Sequence, residues 1–433
     1  MATLPRSWPP PPRRGELRSA GYRPRIPWAR RGRNRLGALL AAVLLLASCA
    51  GPRGLVPVAD PGREHWPDDA SRESLEAALE QSLRYYERLP ATAAFTYGSE
   101  VYTAPQMAAS LELFRRTLAE APSPEAFEAA LAERFLVFES VALQGENLFT
   151  GYFEPVIEGS LTPTDHLATP IYGRPADLVE IPLTAFGRDL PNVKLYGRIE
   201  GRRVVPYYSR QEIQEGQALA GTMQPIAYVN EVDLFFLQIQ GSGLVSLPDG
   251  EAIRVNYEAS NGQPYRSIGA HLIRSEILSR EEVSLQTIRR YLSENPDQVR
   301  PLLFSNPSYI FFRLVDEGPL GNIEVPLTPG RSLALDHRLF PKGGLAYVRT
   351  DVPVPGDPAA TRPLARFMLV QDTGGAIRGH GRADLFWGRG ADARWIAGHL
   401  KHGGRLFLLV ARKEHLPAAA ASVAEHAGRP VAP

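Results

Sequence analysis

The segment Val370-Gln-Asp-Thr-Gly-Gly-Ala-Ile-Arg-Gly-His-Gly-Arg-Ala-Asp-Leu-Phe-Trp-Gly-Arg-Gly390 carries the densest structural and chemical signal in the sequence. Asp372 directly follows an apolar run at 367–370, so it should lie at the end of a strand. Gly374 and Gly375 would let the backbone turn tightly after that strand. Asp384 precedes Leu-Phe-Trp, which could supply an apolar wall. The segment therefore predicts strands and glycine turns that present two carboxyl groups.

These aspartates suggest acid chemistry without proving it. A carboxyl group against apolar surface has a raised pKa, because desolvation penalises its charged form. Such a pKa would suit Asp384 to act as a general acid near neutral pH. A third acid, Asp336, lies in Leu333-Ala-Leu-Asp-His-Arg-Leu-Phe-Pro-Lys-Gly343, where a strand should be followed by a turn. Asp near Gly is most often simple turn chemistry, so spacing alone leaves both interpretations open.

Composition narrows the class of protein. The 433 residues, 44% of them apolar, suffice for one large domain or two ordinary ones. The 38 Gly and 39 Pro favour many short strands and turns over a helical bundle. Residues 1–48 contain ten Arg and one Glu, and because the whole chain carries +1, the remainder carries −8. An acidic body of this kind argues against a nucleic-acid partner.

The N-terminus has the pattern of an export signal. Basic residues at 29–35 precede an uncharged segment at 36–48, which is shorter than the roughly 20 residues that span a bilayer. Leu46-Ala-Ser-Cys49 resembles the bacterial lipobox, which implies cleavage before Cys49 and acylation of its thiol. A lone cysteine is otherwise usually a buried structural residue. We predict a signal peptide at 1–48 and a lipidated tether at 49–68. Ala50 suggests the periplasmic face of the outer membrane, by analogy with lipoprotein sorting.

Hydrophobic periodicity predicts a helical N-terminal segment followed mainly by strands, an α+β chain dominated by β structure. Helices are expected at 71–89, 105–118 and 124–135, from Ser209, and in three pieces within 266–304. Strands are expected at 148–156, 203–208, 234–239, 252–257 and, with Gly-rich turns, across 309–410. We predict one body made of 60–165 and 305–414, an inserted domain at 166–304 with a groove between the two, and a disordered tail at 415–433.

Six separated segments together resemble the membrane-bound lytic murein transglycosylase A family and its three-aspartate domain. Besides the two aspartate segments, they are Thr150-Gly-Tyr-Phe-Glu-Pro155, Leu237-Gln-Ile-Gln-Gly-Ser-Gly243, Asn261-Gly-Gln-Pro-Tyr-Arg-Ser-Ile-Gly269 and Asn306-Pro-Ser-Tyr-Ile-Phe-Phe312. They cover about residues 148–412 in family order. Leu339 and Phe340 stand where the family tends to have isoleucines. Glu154 stands where an uncharged residue is expected, which could alter a sugar subsite.

The resemblance implies a fold and an activity. The fold is a double-psi β-barrel carrying Asp336, Asp372 and Asp384, with an inserted smaller β domain. The activity is cleavage of the β-1,4 bond between N-acetylmuramic acid and N-acetylglucosamine in peptidoglycan, with a 1,6-anhydro product. Asp384 would be the single acid and base, and the other two aspartates would orient or tune the site. The expected partners are the glycan strands and the membrane, and no cofactor or metal is expected.

Residues of the resembling segments are also candidates for sugar binding. Aromatic rings could stack on pyranose faces, and amide or hydroxyl groups could bond to sugar hydroxyls or acetamides. Buried aromatic residues are more often core, and a Gly-Ser-Gly run is more often a hairpin turn. The candidates are Tyr152, Phe153, Glu154, Gln240, Gly241, Ser242, Asn261 and Tyr265.

Two other functions stay open on the sequence. Asp372 and Asp384 could form the acid–base pair of a water-using glycosidase. The chain could instead be a lipoprotein that only binds peptidoglycan or scaffolds other proteins. His399 and His402 have helical i, i+3 spacing, but no carboxylate ligand follows at a recognisable distance, which disfavours a metal site. Ser242 lacks the flanking pattern of a nucleophile elbow, and no phosphate-binding loop is found.

Overall fold

The computed structural model describes residues 54–418, apart from 144, 188 and 192. The predicted signal peptide, Cys49 with the start of the tether, and the tail beyond residue 418 lie outside the described residues. Within the described ranges, no helix is both long enough and apolar enough to cross a membrane.

Helices are concentrated before residue 135 and between residues 210 and 304. Short 3₁₀ turns add Pro61–Arg63, Leu183–Ala185, Pro296–Gln298 and Lys413–His415. The α-helices of the described residues are α1 (Arg72–Glu87), α2 (Ala104–Glu120), α3 (Pro124–Arg134), α4 (Arg210–Gln214), α5 (Glu231–Gln240), α6 (Ile268–Arg274), α7 (Leu285–Glu294), α8 (Val299–Phe304) and α9 (Ala391–His399).

Local capping explains where the predicted helices begin. The Ser71 hydroxyl accepts a hydrogen bond from the Ser74 N–H at the start of α1. At α4, Ser209 and Glu212 form both halves of a capping box. The three helices predicted before residue 135, the helix after Ser209 and the three pieces within 266–304 are confirmed.

The strand predicted at 234–239 is wrong, because this segment lies in α5. The Asn230 side chain accepts hydrogen bonds from two N–H groups of the first turn. Gly241 ends the helix in the left-handed conformation, with φ 82°. Leu234 to Leu237 are all buried, so the run shows no polar face, and a short apolar run does not by itself separate a helix from a strand.

Nineteen strands make up the other regular elements of the described chain. They are β1 (Gly54–Pro57), β2 (Ala94–Tyr97), β3 (Glu100–Thr103), β4 (Phe135–Val141), β5 (Leu148–Tyr152), β6 (Val156–Ser160), β7 (Thr169–Ile171), β8 (Val179–Pro182), β9 (Lys194–Glu200), β10 (Arg203–Pro206), β11 (Ala227–Val229), β12 (Ser242–Ser246), β13 (Ala252–Ser260), β14 (Ile310–Leu314), β15 (Ser332–Ala334), β16 (Leu345–Val354), β17 (Asp357–Asp372), β18 (Arg382–Phe386) and β19 (Lys401–Ala411).

The main sheet closes into a barrel. Its eight strands run in the order β1-β4-β19-β16-β17-β15-β18-β5, and β5 also pairs with β19. That additional pairing makes a ring of six strands, from which β4 and β1 extend beside β19. The predicted mainly β fold with a barrel is confirmed.

The barrel and the N-terminal helices share one hydrophobic core. Alternate residues of the barrel strands enter it, among them Phe149, Leu333 and Leu385. Leu79 of α1 and Phe114 of α2 belong to the same core, so the helical segment covers the barrel. Burying this apolar surface is the main force that holds the helices to the sheet.

A second, six-stranded sheet contains the middle of the chain. Its order is β14-β13-β12-β6-β11-β7, and β10-β9-β8 form a separate small sheet. Both β6 and β14 lie outside the predicted insertion at 166–304. From the membership of these strands we propose that the inserted domain spans about residues 156–314.

The N-terminal part of the described chain corrects the predicted tether. Residues 54–57 form β1, which pairs antiparallel with β4. Trp66 is 3% exposed and packs edge-on against Tyr347, with ring centroids 4.9 Å apart. Asp68 forms a two-pronged ion pair with the fully buried Arg331. Residues 54–68 are therefore part of the folded body, because their backbone and side chains are used in it.

Candidate active site

Four adjacent strands bring the predicted catalytic residues together. Ala334 of β15 pairs with Asp372 of β17 on one side and with Asp384 of β18 on the other. Asp384 in turn pairs with Thr150 of β5. Since neighbouring strands lie about 4.8 Å apart, the backbones of the two aspartates are about 10 Å apart.

The period of two along each strand decides what surrounds Asp384. Leu385 points into the main core, whereas Phe386 shares the face of Asp384. Phe386 packs with Tyr152 and Ala334 in a small apolar cluster, and the Tyr152 and Phe386 rings are 5.2 Å apart. The predicted apolar wall therefore exists, but Phe386 and Tyr152 form it rather than Leu385.

Asp384 is a partly buried carboxyl group with one hydroxyl donor. The Thr150 hydroxyl donates a hydrogen bond to its Oδ1 over 2.7 Å. Arg382 lies two residues earlier on the same strand and donates to Thr150 Oγ1 over 3.3 Å. Burial raises the pKa of Asp384 to about 6, although the Thr150 hydrogen bond and the Arg382 charge both favour the anion. At pH 7 about a tenth of the molecules would then carry the protonated acid.

Asp372 is held by three donors. Its Oδ2 accepts from the Tyr152 hydroxyl over 2.7 Å, and its Oδ1 accepts from the Asn322 and Thr373 N–H groups over 3.0 and 2.8 Å. Burial, with a smaller contribution from the negative charge of Asp384, raises the pKa of Asp372 to about 6 against these hydrogen bonds. The donors fix the carboxylate, and the carboxylate fixes the Tyr152 ring and the loop at Asn322.

Asp336 has a different environment from the other two aspartates. It is fully buried and forms a two-pronged ion pair with Arg338, over 2.8 and 2.6 Å. The Gly379 N–H donates to its Oδ2 over 2.9 Å. Burial alone would raise the pKa of Asp336, but Arg338 and the N–H donors hold it well below its usual range. Asp336 is thus an anion that joins its own turn to the loop before β18.

Two of the predicted sugar-binding residues form contacts inside the protein. Glu154 is 2% exposed and ion-pairs with Arg254 and Arg389. Burial raises the pKa of Glu154, while the two guanidinium groups lower it. Gln240 accepts a hydrogen bond from the Phe153 N–H over 2.9 Å, which links the end of α5 to the chain after β5.

Asn261 is buried and has its hydrogen-bonding groups occupied. Its Nδ2 donates to the Tyr208 and Pro307 carbonyls over 2.8 and 2.9 Å, and its Oδ1 accepts from the Tyr309 N–H over 2.9 Å. These bonds join three backbone segments. The bonds satisfy the buried amide and give Asn261 a structural role, and its direct contact with sugar stays a prediction.

The remaining sugar-binding candidates have varied environments. Gly241 ends α5 and Ser242 begins β12 in a buried position, so this run is a helix end rather than a hairpin turn. Tyr152 and Phe153 are 8% and 7% exposed. Tyr265 is 41% exposed, so part of this residue faces solvent.

Sequence reasoning assigned no role to Thr150 or Arg382. Arg382 could have been found, because residues i and i+2 of one strand share a face. Thr150 begins the segment at 150–155 that resembles the family, but it is 234 residues from Asp384 in the chain. Only the pairing of β5 with β18 brings these two residues together.

The two histidines considered for a metal site lie in different elements. His399 ends α9 with its Nδ1 2.9 Å from the Trp395 carbonyl, and His402 lies in β19. Among the described residues there is no group of three or more His, Cys, Asp or Glu side chains that could hold a metal ion.

A cavity of about 790 Å³ lies away from the three aspartates. It is bounded by the segment around Trp66, by Leu118 and Phe127 of the N-terminal helices, and by Phe367. Its lining is mainly apolar and lacks the candidate acids, so we place the chemistry at the barrel strands.

The fold and site define a protein with a three-aspartate barrel domain and an inserted β domain. The family model described as the MltA specific insert domain matches residues 148–313, and that of the 3D domain matches residues 331–410. The chain belongs to the membrane-bound lytic murein transglycosylase A family. The names of its members describe an enzyme, a transglycosylase.

Relatives and solved structures support this membership. Membrane-bound lytic murein transglycosylase A of Vibrio cholerae is 34% identical over 273 residues, which cover 61% of this chain and 66% of that relative, just under two thirds. The crystal structure of a membrane-bound lytic murein transglycosylase from Agrobacterium tumefaciens is 31% identical with a TM-score of 0.69, over 86% of this chain and 99% of that chain. Escherichia coli MltA with bound chitohexaose is 25% identical with a TM-score of 0.60, over 83% and 95%.

Proposed function

We propose that this protein is a lytic transglycosylase that cleaves the β-1,4 bond from N-acetylmuramic acid to N-acetylglucosamine in peptidoglycan and leaves 1,6-anhydro ends. The observation that carries the proposal is the environment of Asp384, a partly buried carboxyl whose pKa burial raises to about 6. Family membership supplies the substrate class, and the relative from Escherichia coli binds a chito-oligosaccharide.

Asp384 acts twice in the proposed mechanism. Its protonated form gives a proton to the glycosidic oxygen as the bond from that oxygen to C1 breaks, which leaves oxocarbenium-like charge at C1. The resulting Asp384 anion takes the proton of the muramic C6 hydroxyl, and O6 bonds to C1. Asp384 ends protonated and no water is consumed. A hydroxyl tethered to the reacting ring is favoured over free water by its high effective concentration.

The other two aspartates support this site in the proposal. Asp336 is held as an anion by Arg338 and the Gly379 N–H, so it is a poor proton donor. Asp372 accepts three hydrogen bonds that position Tyr152 and Asn322. We assign Asp336 the role of positioning the loop before β18. We assign Asp372 the role of orienting the Tyr152 ring.

A second candidate is a water-using glycosidase on the same barrel. The observation that favours it is that Asp372 and Asp384 both have a pKa raised to about 6. They lie on β17 and β18, which are separated by the single strand β15. Glycosidases that use water rely on a pair of carboxyl groups. The three hydrogen bonds to Asp372 leave it less free to activate water, so we favour the single-acid mechanism.

The deciding experiment is mass spectrometry of the products released from purified sacculi. We expect anhydro ends from the wild type and at least a thousandfold lower release from Asp384→Asn with its thermal unfolding midpoint retained. Reducing ends would establish the glycosidase instead. If the folded wild type released no glycan, the protein would be one that only binds peptidoglycan. Full activity of Asp384→Asn would show that Asp384 is not the catalytic acid.

We also propose that the protein is anchored through a lipid on Cys49, at the periplasmic face of the outer membrane. The support is the lipobox-like sequence and the membrane-bound designation of the relatives. Metabolic labelling with an alkynyl fatty acid tests it. Label in the wild type and none in Cys49→Ala is expected, and equal label in both would exclude this site.

A further inference from the structure

Three basic side chains, His337, Lys342 and Arg378, lie on the turns next to Asp372, and we call them the cationic cluster. His337 Nδ1 is 3.2 Å from the hydroxyl of Thr373, the residue that follows Asp372. This contact joins the turn after β15 to the loop after β17. The cluster thus lies beside the end of the strand that carries Asp372.

The backbone of Lys342 is fixed on both sides. Its carbonyl accepts a hydrogen bond from the Tyr86 hydroxyl over 2.9 Å. The N–H of the next residue, Gly343, donates to the Val370 carbonyl over 2.6 Å. Val370 is two residues before Asp372, so Lys342 is held at the strand end that opens onto the candidate acids.

Arg378 is positioned by Asp336. The neighbouring Gly379 N–H binds the Asp336 carboxylate, and the Arg378 guanidinium lies 4.0 Å from the same carboxylate. Both Asp336 oxygens already receive closer hydrogen bonds from Arg338. The ion pair between Arg378 and Asp336 is therefore weak.

Asp336 and Asp372 are the anions nearest to Arg378 and Lys342, but neither forms a close ion pair with them. Within the described part of the chain, no carboxylate lies within 4 Å of Lys342 Nζ, and the hydrogen bond of the Arg378 side chain is a long one of 3.3 Å to the Ile377 carbonyl. Burial lowers the pKa of Lys342, against the attraction of Asp372. Burial, followed by the charges of Lys342 and Arg378, lowers the pKa of His337, so His337 is a neutral hydrogen-bonding group at pH 7.

The proposed substrate has a group that fits this charge. N-acetylmuramic acid carries a lactyl ether whose carboxyl group is either free or amide-linked to a peptide stem, and the stem carries carboxylates of its own. N-acetylglucosamine carries no acid. A site beside the scissile bond that holds unpaired cations can therefore distinguish a muramic acid residue from a glucosamine residue.

We propose that the cationic cluster binds a carboxylate carried by the muramic acid residue of the substrate. This inference rests on the proposed function. Lys342 and Arg378 supply the charge, and His337 supplies a hydrogen bond. Because these side chains are partly exposed, the gain in affinity should be moderate, about threefold to tenfold.

Binding in the Asp384→Asn background of the full chain tests the inference without turnover. Three soluble probes are compared by calorimetry: chitohexaose, glycan strands stripped of peptide by an amidase, and glycan strands that retain their stems. The double variant Lys342→Gln with Arg378→Gln should lose about threefold to tenfold in affinity for the acidic glycans and retain its affinity for chitohexaose. The loss should shrink at about 1 M salt, where the Debye length is about 3 Å.

The two acidic probes separate the two sources of carboxylate. A loss confined to stripped glycan identifies the lactyl carboxylate, a loss confined to stem-bearing glycan identifies the peptide, and a loss for both identifies a site that accepts either. Unchanged binding of both acidic probes overturns the inference, and so does an equal loss for chitohexaose. If the parent binds none of the three probes, the proposed function itself fails.

A charge-matched control excludes a general effect of net charge. Arg203 in β10 and Arg290 in α7 are exposed and lie outside the turns that hold the cluster. The double variant Arg203→Gln with Arg290→Gln removes the same charge and should bind all three probes as the parent does. A loss of acidic glycan equal to that of the cluster variant would overturn the inference.

Discussion

The Thr150 hydroxyl lies 2.7 Å from Oδ1 of Asp384 and links β5 to β18 across 234 residues of sequence. Arg382 stands behind this contact and donates to the same hydroxyl over 3.3 Å. Burial of Asp384 favours the protonated acid, whereas the two neighbours favour the anion. The acidity of the site is therefore a balance that single substitutions can shift in a chosen direction.

Thr150→Val should move the alkaline limb of the pH–activity profile upward. Activity that needs protonated Asp384 falls as pH rises through its pKa of about 6. Removing a donor to the anion raises that pKa, so the fall should occur about one pH unit higher. The measurement is the rate of glycan release from sacculi between pH 4.5 and 8.5. The control Thr150→Ser keeps the hydroxyl, so its pH–activity profile should match that of the wild type. If the alkaline limb of Thr150→Val stayed at the wild-type pH, this hydrogen bond would not set the pKa of Asp384.

Asp372→Asn should move the same limb downward. The charges of Asp372 and Asp384 repel each other, and the negative charge of Asp384 already raises the pKa of Asp372. Removing one negative charge makes it easier to ionise the other, so the pKa of Asp384 should fall by about half a unit. The pH profile is measured as before. Tyr152→Phe serves as a control that keeps the charge of Asp372 while removing one donor to it, and an upward shift in Asp372→Asn would contradict the assigned coupling.

Asp336→Asn should destabilise the protein in a pH-dependent way. The pKa of Asp336 is below its unfolded value, so its contribution to stability is present above that unfolded value and is lost as pH falls through the folded one. We expect the variant to lower the free energy of unfolding by about 1–3 kcal/mol at pH 7, since Arg338 loses its buried partner. Urea titrations at pH 7 and near pH 3 measure the difference, which should narrow at the lower pH. The exposed Asp316→Asn is the control, and a constant difference across this range would argue against the ion pair.

Trp66→Ala tests whether the segment before α1 is part of the folded body. The indole is 3% exposed and its ring centroid lies 5.3 Å from that of Phe407. Its removal should lower the free energy of unfolding by about 3–5 kcal/mol, through lost burial and a cavity. Denaturant unfolding measures this loss. Leu161→Ala, at a side chain 61% exposed, should change stability by less than about 0.5 kcal/mol, and an equally small effect at Trp66 would restore the interpretation of a tether.

Sequence patterns predicted the elements whose signals are local. Ser71 and Ser209 lie beside the N–H groups they cap, so their helices could be located from a few neighbouring residues. The run before Asp372 could likewise be read as a strand that ends at an acid. The strand predicted at 234–239 is wrong, because four consecutive apolar residues, Leu234 to Leu237, are all buried and leave no period to detect.

The sequence predicted the three acids, and the family resemblance implied that Asp384 is the acid and that Asp336 and Asp372 orient or tune the site. The contacts that give each carboxyl group its own environment were not predicted from the sequence. Asp336 becomes a fixed anion through Arg338, whereas Asp384 gains a raised pKa from burial. Glu154 was expected near sugar, but the structure places it between two arginines.

The sequence by itself determined the three acids, most of the helices and strands, and the family to which they belong, because these depend on residue identity and on neighbours a few positions away. The tertiary structure decided that Asp372 and Asp384 have a raised pKa, because their desolvation comes from residues distant in the chain. Thr150 reaches Asp384 across 234 residues, and Asp68 reaches Arg331 across 263. Only closing the barrel and packing the N-terminal segment against it brings these partners within bonding distance.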